Sequence, residues 1–554
     1  MRQALLRTPL LAPLAGAARY ALANRATLGA VLADLAATRR DWAKLLAAPV
    51  APPNGRTALV LALADEDIYQ MKLYAMLALG LRRAGWRLAV LQDHRARALA
   101  RSFYRALGFT EFAHLADFAP DAAARAAIDA AVRDFAARAD DFPQVKAWTY
   151  QGAWIGPQIL STLSRRDFAG APDPRDPAVR AELKAALPGL LAHAAICRAA
   201  ARALKPDLAL VVEANYATSG PMVDAVIAEG GGVVQLTQPW KDDALILKRL
   251  TPATRRHHPS SLDPETFARI QATTVWDAAH EAALDQAFAD RYGGRWFLQA
   301  RNQPGTVAAD RAAICAQFGI PVERSLAVVF SHVLWDANLF YGEDLFRDYA
   351  DWFVATVRAA CANPNASWLV KMHPANLWKR AWENVTAEHA ETRLIREAIG
   401  PLPDHVRLVP PDTSVSTLSL FQAADCAITV RGTTGMEAPC HGLRVLTAGT
   451  GRYSGLGFTD DFATADAYLA ALARVHDLGP LEPERVRLAR LHAHAVFCRR
   501  PWTMTGFRSA FDYPRSGSHP LAHNLAPVAA ADVADLDRFA AWAGSAEVDY
   551  LEPA

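Results

Sequence analysis

Along this chain the apolar residues gather in short continuous runs, separated by stretches with helical spacing. "TALVLALA" (57–64) has strand length, "DIYQMKLYAMLALGLRRAG" repeats its apolar positions at helical intervals, and "RLAVLQ" (87–92) is a second strand-length run. Gly85 stands where a helix-stopping glycine belongs. This pattern predicts a βαβ unit, and strands that are apolar throughout predict a parallel sheet covered on both faces. A second unit follows: strand 208–213, a polar loop, a helix from Pro221, a glycine run and strand 233–237. The stretch from 245 to 320 is mixed, and "TPATRRHHPSSLDPETF" reads as a loop or linker in which His257 and His258 lack further spaced metal ligands. A fresh α/β series then begins, with strands 326–331, 367–372, 427–430 and 443–447 and helices 343–360 and 435–441. The last eighty residues read as mainly helical, broken near "YPRSGSHP".

The expected architecture is therefore α/β, with two Rossmann-like domains facing a cleft and a helical C-terminal tail. The divisions are a basic N-terminal helical segment (1–50), a first Rossmann-like domain (51–315), a second (316–480) and the tail (481–554), which is expected to pack back on the first domain. A length of 554 residues agrees with more than one core. The balance of 59 basic and 57 acidic residues carries no polyelectrolyte signature, which argues against bulk nucleic-acid binding. Cysteines 197, 315, 361, 426, 440 and 498 are scattered without metal-ligand or CxxC spacing, so a reducing, cytoplasmic setting is expected. In the N-terminal segment Arg2, Arg7, Arg19 and Arg25 precede the first acid, Asp34, and interrupt the apolar pattern too often for a membrane span. Two readings stay open for it: a helix on an anionic membrane surface, peripheral to the inner membrane, or a helix packed on the first domain.

The candidate chemistry lies at strand ends, because ligands of open α/β sheets bind beyond the carboxyl ends of the strands. "WLVKMHPAN" (368–376) ends an apolar strand on Lys371, His373 and Pro374. Lys371 and His373 share one strand face, and the proline fixes the exit direction of the chain. "AITVRGTTGMEAPCHG" leaves its strand through Arg431 and Gly432 and enters a helix at Thr433 and Thr434. A helix start with two hydroxyls suits an anion, and Glu437 one turn inside suits a ribose diol. The alternative is an N-cap threonine with Glu437 as its capping-box partner. Arg431 is a candidate phosphate or carboxylate clamp.

"KMHP" followed by "VRGTTGMEAPCHGLRVLTAGTGRYSGLGFT" resembles the donor-binding half of bacterial capsule polysaccharide biosynthesis glycosyltransferases, a GT-B-type group with an HP motif that includes the capsular Kdo transferases. The resemblance is specific over 367–459 and weaker in "YQGAWIGPQILSTLSRR" and "VEANYATSGPMVDAVIAEGGGVVQL". It implies a GT-B-like fold in which His373, Thr433 and Thr434 hold the donor phosphate, Ser331 and His332 add donor contacts, and 451–459 lines the cleft. The Thr-Thr pair stands where serine is common in the group, and the basic N-terminal segment is extra. Both departures leave the donor open.

A transferase of this kind needs leaving-group stabilisation, which Lys371 and His373 can supply without a metal, and a base for the acceptor hydroxyl, for which Glu213 at the end of strand 208–213 is the candidate. Asp65-Glu66-Asp67 competes for the base role, and its D-x-D pattern could hold a cation, although acids after a first strand are usually a helix cap. Trp335, Phe340, Tyr341 and Phe346 offer either stacking surfaces or a packed cluster. The expected function is transfer of a sugar from a nucleotide-activated donor, CMP-Kdo or a relative by resemblance, to a polysaccharide or glycolipid acceptor. The nucleotide-sugar is a substrate, and no separate cofactor or metal is expected. A nucleotide-sugar epimerase of the same fold and a non-catalytic polysaccharide-assembly protein are the alternatives.

Overall fold

The structure, a computed structural model, describes residues 11–553 apart from 64–66, 297–304, 337–338, 383–384, 387, 513–518 and 529–532. Two α/β domains form it, as the apolar runs predict. The first sheet takes strands β1 (Thr57–Ala62), β2 (Arg87–Gln92), β3 (Glu111–His114), β4 (Leu208–Val211), β5 (Gly232–Thr237) and β6 (Ala244–Leu250). Strands β1 to β5 run parallel in the order β5-β4-β1-β2-β3, and β6 is antiparallel to β5. The centre of β1 is buried along its whole length, because helices cover both faces of the sheet.

The second sheet is wholly parallel. Its strands are β7 (Leu326–Phe330), β8 (Ser367–Lys371), β9 (Val406–Val409), β10 (Cys426–Thr429), β11 (Arg444–Thr447) and β12 (Asp460–Asp461), in the order β12-β11-β10-β7-β8-β9. Both sheets reverse their winding direction once. In the first, the chain builds outwards from β1 through β2 and β3 and then returns to place β4 on the other side of β1. In the second it builds from β7 through β8 and β9 and returns to place β10 beside β7. The crevices at β1/β4 and β7/β10 are the topological switch points where such sheets bind ligands.

The C-terminal segment contains helices Pro483–His494 and Ala534–Ala543, but it is not only helical. Strand β13 (Pro501–Thr503) joins the first sheet antiparallel to β6, and β14 (Phe507–Phe511) pairs with β15 (His523–Pro527) as a hairpin. These strands are short and carry few β-branched residues, which hides them from a periodicity reading. Helix Ala534–Ala543 packs on helix Ile68–Arg83 of the first domain. At the other end, helix Leu28–Asp41 buries Val31, Leu35 and Thr38 against that domain. Gly16 in helix Leu11–Ala23 touches the backbone at Ala96 so closely that a Cβ would stand 1.8 Å from the Ala96 carbonyl oxygen. The N-terminal segment thus packs on the protein, with Leu14, Leu22 and Leu32 left exposed. Among the described residues no helix is long and apolar enough to cross a membrane.

A buried charged triad ties the C-terminal segment to the first sheet. Asp549 Oδ1 lies 2.8 Å from Lys248 Nζ on β6 and 2.6 Å from the Arg500 guanidinium, and all three side chains are 0% exposed. Asp549 Oδ2 also accepts the Asp263 amide at 2.6 Å. Burial alone would raise Asp549, but the two flanking cations hold it below the ordinary carboxylate range. Removing one partner of a buried ion pair leaves the other charge uncompensated. Asp549→Ala is therefore expected to cost about 3–5 kcal/mol of stability, read as a lowered urea midpoint. An unchanged midpoint would show that the triad does not hold the tail.

Candidate functional site

The two switch points face each other across an open cleft of about 550 Å³. From the first domain it receives Glu213, two residues beyond the end of β4, together with Tyr216 and His258. From the second it receives His332 after β7, His373 after β8, and Arg431, Gly432 and Thr433 after β10. A smaller pocket of about 110 Å³ continues beneath it and adds Lys371, Thr434 and Arg291. Both spaces share His332, His373, Gly432 and Thr433. Parallel pairing of β8 with β7, and of β7 with β10, is what brings these three strand ends together.

Lys371 is the last residue of β8, 4% exposed, and forms no ion pair with any described residue. Burial alone lowers its pKa to about 8. His373 accepts the Ala375 amide on Nδ1 at 3.1 Å, which puts the ring proton on Nε2. His332 is held differently: its Nε2 accepts the Val430 amide at 3.2 Å and lies 3.1 Å from the Thr429 hydroxyl. Burial, then Arg431, pushes it well below the usual histidine range, so it is neutral.

The turn after β10 departs from the expected helix start. A single α-turn, Thr434–Glu437, runs into a 3₁₀ turn, Ala438–His441. Thr433 has helical backbone angles and makes no side-chain cap, so the capping-box reading does not hold. Gly435 meets the Tyr453 ring so closely that a Cβ would lie 2.0 Å from the hydroxyl, and that hydroxyl donates to the Gly432 carbonyl at 2.9 Å. Tyr453 thus clamps the turn and leaves Thr433 and Thr434 beside the pocket.

Glu437 has a different set of partners from the ribose expected of it. It is 2% exposed and accepts from Arg291 Nε at 2.8 Å, Arg291 Nη2 at 2.7 Å and the Tyr292 hydroxyl at 2.8 Å. Burial would raise it, but Arg291 and then Tyr292 hold it low, and the bidentate pair is a neutral unit in the pocket wall. Arg431 is likewise committed, to Asp344 by an ion pair and to the Glu343 carbonyl at 3.1 Å, so it braces the 341–349 loop instead of clamping a ligand. Ser331 lines the smaller pocket with its hydroxyl 3.0 Å from the His332 carbonyl and 3.2 Å from buried Glu391, and Pro374, also in the lining, leads into helix Ala375–Trp382.

Glu213 opens into the cleft, yet protein surrounds it closely, and that desolvation raises its pKa above the ordinary glutamate value. Beside it Asp336 accepts the Tyr216 hydroxyl at 3.0 Å, is ion-paired to Lys379, and lies 3.7 Å from Arg165. Burial would raise Asp336, but Lys379 and Arg165 hold it below the carboxylate range. The aromatics of 335–346 pack. Trp335 lies 4.5 Å from Phe168, Phe340 stacks on Trp154, and Tyr341 stands 4.7 Å from His258. Asp67 caps helix Ile68–Arg83 by accepting the Gln70 amide, whereas Asp65 and Glu66 lie outside the described residues.

Several cleft residues carry no sequence signal of their own. Arg291 and Tyr292 come from helix Ala278–Tyr292 in a stretch without strand-end character. His258, read as loop, lines the cleft, as does Arg452 from the 451–459 segment.

The family model described as "Capsule polysaccharide biosynthesis protein" matches residues 320–478, the stretch that holds the second sheet. No curated protein matches the chain. Among solved structures, the β-Kdo 2,4 transferase of Thermosulfurimonas dismutans KpsC aligns at 13% identity over 60% of this chain and 87% of that one, with a TM-score of 0.31. The β-Kdo 2,7 transferase of the same protein aligns at 16% identity over 54% and 79%, with a TM-score of 0.30. The UDP-GlcNAc 2-epimerase of Neisseria meningitidis, bound to UDP-GlcNAc, aligns at 9% identity over 80% and 96%, with a TM-score of 0.25. Scores of this size carry no argument about activity.

A buried lysine without a carboxylate binds an anion best while it is protonated. With its pKa at about 8 in the free protein, Lys371 is charged below pH 8 and loses its charge above it. An anion raises that pKa, so affinity for a simple anion such as sulfate is expected to stay level from pH 6.5 to 7.5 and then fall by up to about tenfold per pH unit above 8. Titration calorimetry across pH 6.5–9.5 checks this. Lys371→Met should weaken binding about 10- to 100-fold and flatten the profile; an equally steep profile in the variant would exclude Lys371 as the cause.

Proposed function

We propose that this protein is a GT-B-type glycosyltransferase of surface-polysaccharide synthesis that moves a sugar from a nucleotide-activated donor to a saccharide or glycolipid acceptor. The observation that carries the reading is the buried, uncompensated Lys371 beside His373 in a pocket of the stretch that the capsule polysaccharide biosynthesis family model matches. The cytidine-type donor, CMP-Kdo or a relative, is part of the proposal and rests on the resemblance of the HP and RGTTG segments.

In this mechanism the donor phosphate sits over Lys371, His373 and the Thr433–Thr434 turn. The ammonium and the His373 Nε2–H stabilise the negative charge that grows on the departing phosphate as the glycosidic bond breaks. These groups are fixed before the ligand arrives: β8 carries Lys371, and the Ala375 amide orients His373. Glu213 on the facing wall takes the proton of the attacking acceptor hydroxyl. Its raised pKa strengthens it as a base, and the Asp336–Lys379 pair beside it is already ionised and internally balanced. Charge stabilisation by Lys371 and His373 lets the reaction run without a divalent metal. The donor reaches the enzyme as a substrate, and no further cofactor takes part. The setting is cytoplasmic, with peripheral association to the inner membrane through the exposed leucines and arginines of the N-terminal helices.

Transfer assays with a CMP-linked ulosonic acid and saccharide acceptors separate the roles. Glu213→Gln is expected to lower kcat at least about 100-fold with donor affinity unchanged, whereas His373→Ala weakens donor binding. The acid limb of kcat/KM should titrate above the ordinary glutamate value, because the base must be ionised and the cleft raises it. Nucleotide-sugar turnover that proceeds equally without any acceptor would replace the transferase reading by an epimerase. Wild-type activity retained in Glu213→Gln would remove Glu213 as the base.

A further inference from the structure

Arg452 has a surrounding that neither the fold nor the phosphate pocket explains. It follows Gly451, whose φ of +105° and close approach to the Tyr341 carbonyl, 2.3 Å from where a Cβ would stand, admit only glycine. That contact turns the next side chain towards the cleft, which Arg452 lines. Its guanidinium donates to the Ser260 hydroxyl and to the Arg431 carbonyl at 3.4 Å, both neutral groups. Its Nε is buried without a hydrogen-bond partner, and no carboxylate among the described residues pairs with it. The neighbouring cations are all neutralised: Arg431 by Asp344, Arg291 by Glu437, Lys379 by Asp336. Lys371 and Arg452 therefore stand out as two separate positive charges facing the two joined cavities. Arg452 also stands beside the first domain, since Ser260 is bound to His258 at 2.9 Å.

A single phosphate over Lys371 and His373 accounts for one of these charges. We propose that Arg452 is a specificity-determining residue that binds a second anionic group of the donor, separate from the phosphate held at Lys371. The inference rests on the nucleotide-donor reading given above. Two chemistries supply such a group, the second phosphate of a nucleoside diphosphate or the carboxylate of an acidic sugar, and both match the planar fork of an arginine. The anion would complete a bridge between Arg452 of the second domain and the Ser260–His258 segment of the first, so that only a doubly anionic donor draws the two walls together.

The test is calorimetric binding of three probes, CMP, CDP and CMP-N-acetylneuraminate, to wild type, Arg452→Gln and Arg452→Lys. CMP is expected to bind wild type and Arg452→Gln within about twofold, while one doubly anionic probe loses at least about tenfold in Arg452→Gln. Loss confined to CDP identifies a second phosphate, and loss confined to CMP-N-acetylneuraminate identifies a carboxylate. Arg452→Lys, which keeps the charge and the packing of the stem, should recover part of that loss and serves if the glutamine variant does not fold. Equal affinities of wild type and Arg452→Gln for all three probes overturn the inference and leave the nucleotide pocket standing. A wild type that binds none of the three overturns the donor reading and this inference with it.

Discussion

A lysine ammonium at the end of a buried strand is costly unless something compensates it, and no carboxylate among the described residues compensates Lys371. Much else in the second domain follows from that. Apart from Arg452, the other cations named at the site are each neutralised by a carboxylate, so they brace the walls and leave the pocket its charge. Arg291 locks Glu437 under the Thr433–Thr434 turn, and Arg431 locks Asp344 under the 341–349 loop. His332 is spent on the Val430 amide, which fixes the end of β7 against the end of β10. A rigid cradle whose charges at Lys371 and Arg452 are left unsatisfied discriminates by charge and position, since it gains little from a neutral ligand and cannot relax to make its own partner.

The facing domain supplies the complementary character. Glu213 stands at the switch point of the first sheet as Gly432 does in the second, so the acid and the cations confront each other because both sheets wind in the same way. Direct bonds hold the walls in register. Asn215 donates to the Tyr341 hydroxyl at 2.6 Å, and the Tyr216 hydroxyl donates to Asp336 at 3.0 Å. Arg255 lies 5.4 Å from the Trp154 ring and 5.2 Å from the Phe340 ring and is ion-paired to buried Asp224, so its contact with Phe340 joins the two domains at the side of the cleft. The C-terminal segment crosses back to the first sheet through β13 and the Asp549 triad.

Much of this was legible in the order of residues. Buried parallel strands show as apolar runs, and β1, β2, β4, β5, β7, β8, β10 and β11 each carry one, interrupted in β5 by Gln235. The strands that escaped notice break that rule for physical reasons. β6 carries Lys248, whose carboxylate partner Asp549 lies in the distant C-terminal segment, and Arg249, which donates to carbonyls of that segment, and β9 has two half-exposed positions at the edge of its sheet. The strand-end logic placed Lys371, His373, Gly432, Thr433 and Glu213 at strand ends, and these line the two joined cavities, because position at a strand end is a local property. It misjudged Glu437 and Arg431, whose commitments to Arg291 and Asp344 depend on contacts 146 and 87 residues away in the chain. His258 has no local signature at all, and Arg452 is marked only as part of the 451–459 segment that the resemblance places at the cleft. Only the meeting of two loops gives them a role.

The central claim is that the pocket at the ends of β7, β8 and β10 holds a nucleotide phosphate. A crystal structure of the chain with CMP tests it most directly. The account predicts phosphate density within hydrogen-bond distance of Lys371 Nζ and His373 Nε2, over the Gly432–Thr434 turn. A phosphate bound elsewhere, with Lys371 still unpartnered in the complex, would contradict it.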